Sequence, residues 1–320
     1  MAPNATLAAG VEVRAFGEDI ALGFAANDHE AMLVRLEPKS LSVVESSSAT
    51  SALPIRRVTP VLGEHGRLTL AVDVDRKGDP LRERRTLPID PPLQVGVMGG
   101  HIAWAPLNHE VARKLWPLER GETIDAVRGA RSESKPSSVV IAFRSPGAEW
   151  VGAADGVGRL AAKGSLFRVD GLGGAVGAPA IAVNDGAGIM VWADRASTDD
   201  PWRLRWVRFT EGEAPSTPQL FAIPPGGNGD QAMSPGLAVI PGGRFLVTWT
   251  QGPMSLHEVR GLTIWADGTP LGGPLTISSR GSNAGQSQAA VAPDGSGIIA
   301  YLESSSSGFQ VAVASISCGM

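Results

Sequence analysis

Seven times along the chain a tight turn, usually bearing glycine, is followed at once by a short apolar run. The turns are Gly17-Glu18-Asp19, His65-Gly66, Gly99-Gly100, Pro146-Gly147, Asp185-Gly186, Gly242-Gly243 and Asp294-Gly295. The runs that follow are Ile20–Phe24, Leu68–Val72, Ile102–Trp104, Trp150–Ala153, Ile189–Trp192, Phe245–Trp249 and Ile298–Tyr301. Two-residue hairpins need φ > 0, which glycine adopts without steric cost. A run that is apolar at nearly every position reads as a strand buried on both faces. Such a strand, repeated along a chain, needs a small sheet stacked on each side of it.

The marker recurs about every 46 residues, near the ~40–45 of a four-stranded propeller blade. The expected fold is therefore all-β: a single seven-bladed β-propeller over residues 1–320, built of four-stranded antiparallel blades. Blades are expected at about 11–50, 54–90, 92–131, 136–172, 178–224, 234–279 and 287–317. Residues 5–9 are expected to complete the last blade, so that N- and C-terminal strands close the ring. In the second blade Leu81–Leu87 reads as the only outer strand; Leu107–Arg120, bracketed by Pro106 and Pro117, reads as loop plus strand. Six blades, eight blades or a pair of β-sandwiches are the alternatives. The pattern resembles the β-propeller repeat proteins of bacteria over essentially the whole chain. It lacks the Gly-His and Trp-Asp signatures of WD40 blades and the kelch pattern, so the resemblance implies an architecture and no substrate.

With 40 Gly, 24 Pro and 19% charged residues, the chain is turn-dense rather than helical, and 43% hydrophobic content suffices for a core. A net charge of -4 leaves no basic footprint, which argues against nucleic acid as a partner. No apolar run approaches the roughly 18–20 residues of a membrane span. The opening Met1-Ala-Pro-Asn-Ala5 has neither a basic nor an apolar leader region, so no export signal is expected in it. Low lysine use, Ser/Gly-rich loops and one cysteine, Cys318, nevertheless suit a secreted or cell-envelope protein. The cysteine reads as a spare thiol, and a monomer is expected.

Long polar connections, Arg128–Pro136, Pro224–Gln231 and Ser278–Ser287, mark one loop face as the expected working face. Ligand contacts are expected there from Asn228, Asp230, Gln231, Asn283 and Gln286. Trp202 and Trp206 join them as a stacking surface, because they alternate with Arg203 and Arg205 along one strand. The same face is expected to carry an acidic rim from Asp28, Asp75, Glu110, Asp155, Asp194, Glu258 and Glu303. Trp104, Trp192 and Trp249 occupy like positions and read as packing between blades.

The pairs His29-Glu30, His109-Glu110 and His257-Glu258 lack the second histidine of a zinc helix, and Asp73–Asp79 has Lys77 where a calcium ligand belongs. No nucleophile elbow, Walker loop or dinucleotide glycine pattern occurs, so no cofactor, metal or catalytic residue is expected. The function expected is a non-enzymatic binding or scaffold propeller that recognises a protein or carbohydrate. The alternatives are a propeller hydrolase or lyase with carboxylates at the channel, and a purely structural cell-envelope domain.

Overall fold

In the computed structural model, the described residues are 4–5, 9–63, 66–74, 82–87, 92–98, 100–107, 113–117, 126–130, 138–145, 148–155, 166–170, 175–210, 213–221, 231–253, 256–279 and 281–318. Among them every regular element longer than a turn is a β-strand. The chain opens with β1 (Asn4–Ala5). Sheet I is β2 (Val11–Phe16), β3 (Asp19–Asn27), β4 (Glu30–Leu36) and β5 (Val43–Thr50). Sheet II is a pair, β6 (Ile55–Leu62) and β7 (Leu68–Val74). Sheet III follows with β8 (Arg82–Leu87), β9 (Leu93–Met98), β10 (His101–Pro106) and β11 (Arg113–Pro117). Sheet IV holds β12 (Ala126–Ala130), β13 (Ser138–Ser145), β14 (Ala148–Asp155) and β15 (Leu166–Asp170).

Sheet V contains β16 (Ala175–Val176), β17 (Ala180–Asn184), β18 (Ala187–Arg195), β19 (Arg203–Thr210) and β20 (Gln219–Leu220). Sheet VI is β21 (Gln231–Ile240), β22 (Arg244–Gly252), β23 (Glu258–Trp265) and β24 (Leu275–Thr276). Sheet VII is β25 (Ala284–Val291), β26 (Ser296–Ser305) and β27 (Gly308–Ser317), with β1 beside β27. There Asn4 faces Gln310 and Ala5 faces Phe309.

This is a β-propeller arrangement of up-and-down antiparallel sheets. Of the strands after marker turns, β3, β18, β22 and β26 are buried on both faces along most of their length, whereas β7 is buried only at Ala71 and Asp73. The blade count departs from expectation. Five sheets, I and III to VI, are meanders of four or more consecutive strands, rather than seven. Arg82–Leu87 is not the outer strand of the second blade; it pairs with β9 and opens sheet III. Ala126–Ala130 likewise does not end the third blade but pairs with β13 in sheet IV. Short strands between long loops have a free choice of neighbour, and burial decides it. Leu87 is buried with Val127 and Ile141, and a side chain at Gly129 would strike Leu87.

The chain divides into two compact units, Met1–Asp75 with Gly236–Trp265 and Pro270–Met320, and Arg76–Pro235 with Ala266–Thr269. In the first, Val11, Ile20, Leu22 and Phe24 of sheet I bury against Ala290, Ile298, Ala300 and Leu302 of sheet VII. Ile240 and Leu246 of sheet VI meet Ile299 and Tyr301 on the other side of sheet VII. Ala25 and Ala31 of sheet I meet Ile55 and Val58 of sheet II. Gly23 permits that approach, because a Cβ there would lie 2.8 Å from Pro60 Cδ. In the second unit, Trp104 joins the core between sheets III and IV, and Trp192 that between IV and V.

An ion pair also ties sheet I to sheet VII: Lys39 Nζ lies 3.0 Å from Asp294 Oδ2. The Ser296 hydroxyl and backbone N–H, and then Lys39, lower the Asp294 pKa to about 2. A depressed carboxylate stabilises the fold above the unfolded value of about 3.9 and loses that contribution as pH falls toward 2. An NMR titration of the Asp294 carboxyl is therefore expected to show a midpoint well below that of an exposed aspartate. In Lys39→Ala the midpoint should rise part of the way back, since the serine contacts remain.

Candidate functional site

The first strands of sheets I, II and VII concentrate the unusual backbone and the buried charge of the first unit. In β6 the register slips between Ile55 and Arg57, so Arg56 is an extra residue opposite β7. In β25 it slips between Gly285 and Gln288, and Gln286 there has φ +54°. Gly10, just before β2, has φ +64°. Bulges bend a strand and re-aim its side chains, and they gather near active sites.

These features meet. The Gln286 N–H donates to Thr250 Oγ1 at 3.1 Å. Its side-chain Oε1 lies 3.4 Å from where a Cβ on Gly10 would stand. Two residues beyond Gly10, Glu12 Oε1 accepts a hydrogen bond from Arg57 Nε at 2.8 Å. Asp73 lies opposite Arg57 in the β6–β7 register. Arg57 is 4% exposed and Asp73 3%, and the Glu12 side chain is 12% exposed.

One guanidinium thus sits between two carboxylates under the bulge at Arg56. Burial pushes the Arg57 pKa down, but the field and hydrogen bond of Glu12, and then the field of Asp73, outweigh it and raise the pKa. Among the described residues its Nη1 and Nη2 are buried without a hydrogen-bond partner. An ion-paired carboxylate in this setting can accept a proton or attack carbon, while the guanidinium can orient or stabilise negative charge.

Of the residues expected to bind ligand, Gln286 alone belongs to this cluster. It is a strand residue, not a loop residue, and so is Gln231 at the start of β21. Asn283 is half-buried with φ +48°, and its Oδ1 accepts the His257 N–H at 3.3 Å. Asn228 and Asp230 lie outside the described residues. Trp202 places its ring 4.6 Å from the Arg195 guanidinium, and Trp206 is buried against Gly268. The two tryptophans therefore meet protein groups.

The acidic rim is met only in part. Asp28 is exposed in the turn after β3, whereas Asp194 is fully buried within β18, Glu303 lies inside β26 and Glu258 opens β23. Asp75 and Glu110 lie outside the described residues. Among the described residues no three His, Cys, Asp or Glu side chains gather as metal ligands would. Asp73, the first residue of the calcium-like stretch, instead faces Arg57. No helix among the described residues is long and apolar enough to cross a membrane.

Glu12, Arg57 and Asp73 escaped the sequence reading. Their signal was a charge within an apolar strand pattern, in Val11-Glu12-Val13, Arg57-Val58 and Val72-Asp73-Val74.

No protein-family model matches the sequence, and no curated protein matches it. Solved structures do resemble the fold. A protein of unknown function from Dyadobacter fermentans is 10% identical with a TM-score of 0.59, covering 100% of this chain and 98% of its own. Trypanosoma rangeli sialidase, in complex with the inhibitor DANA, is 11% identical with a TM-score of 0.53, over 97% of this chain and 55% of its own. A Penicillium chrysogenum α-L-arabinanase complexed with arabinobiose is 9% identical with a TM-score of 0.46, over 81% of this chain and 92% of its own. The expectation of a non-enzymatic binding or scaffold protein is corrected by the likeness to the sialidase, an enzyme with the same fold. At such identities what the chain shares with them is the β-propeller fold.

Proposed function

We propose that the protein is a propeller hydrolase of glycosidic bonds, with Glu12 as the working carboxylate. The observation that carries this is the pair of carboxylates, Glu12 and Asp73, gathered around the buried Arg57 from strands of two neighbouring sheets. Glycoside hydrolysis needs one carboxylate that attacks or activates water and a second group that protonates the leaving oxygen. Glu12, ion-paired and the more exposed of the two, suits the first role. Asp73 acts through Arg57 as a positioning residue, and the departing oxygen takes its proton from water. Gln286, beside Gly10, supplies an amide for a sugar hydroxyl.

The test is hydrolysis of a panel of aryl glycosides that includes an α-L-arabinofuranoside and an N-acetylneuraminic acid glycoside. Glu12→Gln should lower kcat/KM by about 100- to 10 000-fold while circular dichroism keeps its β spectrum at the assay temperature. Wild-type protein inert on every member of the panel, or a Glu12→Gln variant of full activity, would sink the reading.

The same reading takes residues 1–320 as one seven-bladed domain, with sheet VII completed by β1 and sheet II as its incomplete blade. Support comes from the recurrence of the turn marker seven times along the chain and from the β1–β27 pairing. Export to the cell envelope or beyond is proposed from composition alone, and fractionation of the native host tests it.

A further inference from the structure

We infer that the outer strand of sheet I, β5, is the seam of a symmetric homodimer in which β5 of one copy pairs antiparallel with β5 of the other. The strand has the edge position in its sheet, and all eight residues from Val43 to Thr50 are exposed. Val43 and Val44 are 61% and 49% exposed. Among the described residues no backbone hydrogen bond joins this strand to anything beyond β4.

Soluble proteins blunt such edges with short strands, proline, bulges or charge. Three other outer strands follow that rule: β20 and β24 have two residues each, and β11 ends in Pro117. In β5 the register irregularity is confined to its first residues, and no proline interrupts it. Its single charge, Glu45, is already engaged by Arg35 at 3.4 Å.

The strand's own sequence identifies the occupant. On an edge strand only alternate residues point their N–H and C=O outward, so two identical antiparallel strands can pair only residues of like parity. The register that uses the strand best sets Ser47 opposite Ser47 on the two-fold axis. Ser46 then faces Ser48 and Glu45 faces Ala49, while Val44, the extra residue of the bulge, lies outside the paired stretch. No like charges oppose each other and hydroxyls meet hydroxyls, which are favourable cross-strand contacts. Pairing consumes both edges, so the assembly closes at two copies rather than growing into a filament.

The experiment is sedimentation of the full chain from micromolar to hundred-micromolar concentration, with Cys318→Ser as the background for cysteine variants. Wild type is expected to reach twice the chain mass. Ser47→Lys and Ser47→Glu should each stay monomeric, because each sets like charges on the axis, and an equimolar mixture of the two should recover the dimer. Oxidised Ser47→Cys should yield a covalent dimer, and Ser46→Cys a much weaker one. A wild-type monomer throughout the range, a dimer that survives Ser47→Lys, or cross-linking at position 46 in preference to 47 would overturn the inference. Since all these substitutions are on an exposed strand, retained circular dichroism separates loss of pairing from loss of fold.

Discussion

Replacing Arg57 with methionine is expected to destabilise the protein by about 3–5 kcal/mol, although methionine fills much of the same space. The loss comes from what stays behind. Glu12 and Asp73 remain in the interior without the guanidinium between them, and a buried carboxylate that loses a counter-charge costs several kcal/mol. Arg56 supplies the control: it is the exposed residue of the same bulge, and its methionine variant should cost under about 1 kcal/mol. Urea unfolding followed by tryptophan fluorescence measures both.

The pH dependence should identify the cause. Without Arg57 the two carboxylates hold protons more tightly in the folded chain than in the unfolded one. Stability of the variant therefore increases as pH falls through the range where they protonate in the folded state, before general acid unfolding sets in. Adding Glu12→Gln and Asp73→Asn to Arg57→Met should restore a large part of the loss at neutral pH. A destabilisation that is the same at every pH, and unmoved by the neutral partners, would mean that the site is merely a matter of packing.

The second large effect is expected at Gly268. This residue follows the Ala266-Asp267 turn with φ +86°, and a Cβ on it would overlap Cη2 and Cζ2 of Trp206. Alanine there meets two costs. The left-handed backbone costs about 1–2 kcal/mol for a residue with a side chain. Overfilling the contact with a buried tryptophan costs a further ~1–3 kcal/mol. Gly272, with φ +82° and nothing within 4 Å of its would-be Cβ, isolates the first cost. Gly272→Ala should therefore lose about 1 kcal/mol and Gly268→Ala roughly 3 kcal/mol. In a double-mutant cycle Trp206→Leu should return most of the difference, since the smaller side chain vacates the overlap. Equal losses at the two glycines would show that Trp206 moves aside freely.

Both predictions concern residues whose importance depends on distant neighbours, and this separates what was legible in the sequence from what was not. The turn markers and double-faced apolar runs placed the inner pairs of strands well: Gly17 before β3, Gly186 before β18, Gly243 before β22 and Gly295 before β26 all stand where expected. Local rules suffice there, because a hairpin is decided by its own turn and its own side-chain alternation. Trp192 and Trp249 were also legible as packing residues, since a tryptophan inside an apolar run has nowhere else to go.

Partner choice was not legible. Arg82–Leu87 reads the same whether it finishes one blade or starts the next, and only the contacts of Leu87 with Val127 and Ile141 decide between them. The charges of the candidate site were hidden for the same reason. Glu12, Arg57 and Asp73 are far apart in sequence, and each looks like an ordinary solvated residue of a strand. What the sequence by itself determined was a chain of short, turn-punctuated strands that must bury both faces, because that follows from residue periodicity and glycine backbone freedom. Which strand lies beside which, and therefore which charges are buried together, was decided only by the tertiary structure, because burial and Coulomb energy depend on distances between segments that periodicity does not encode.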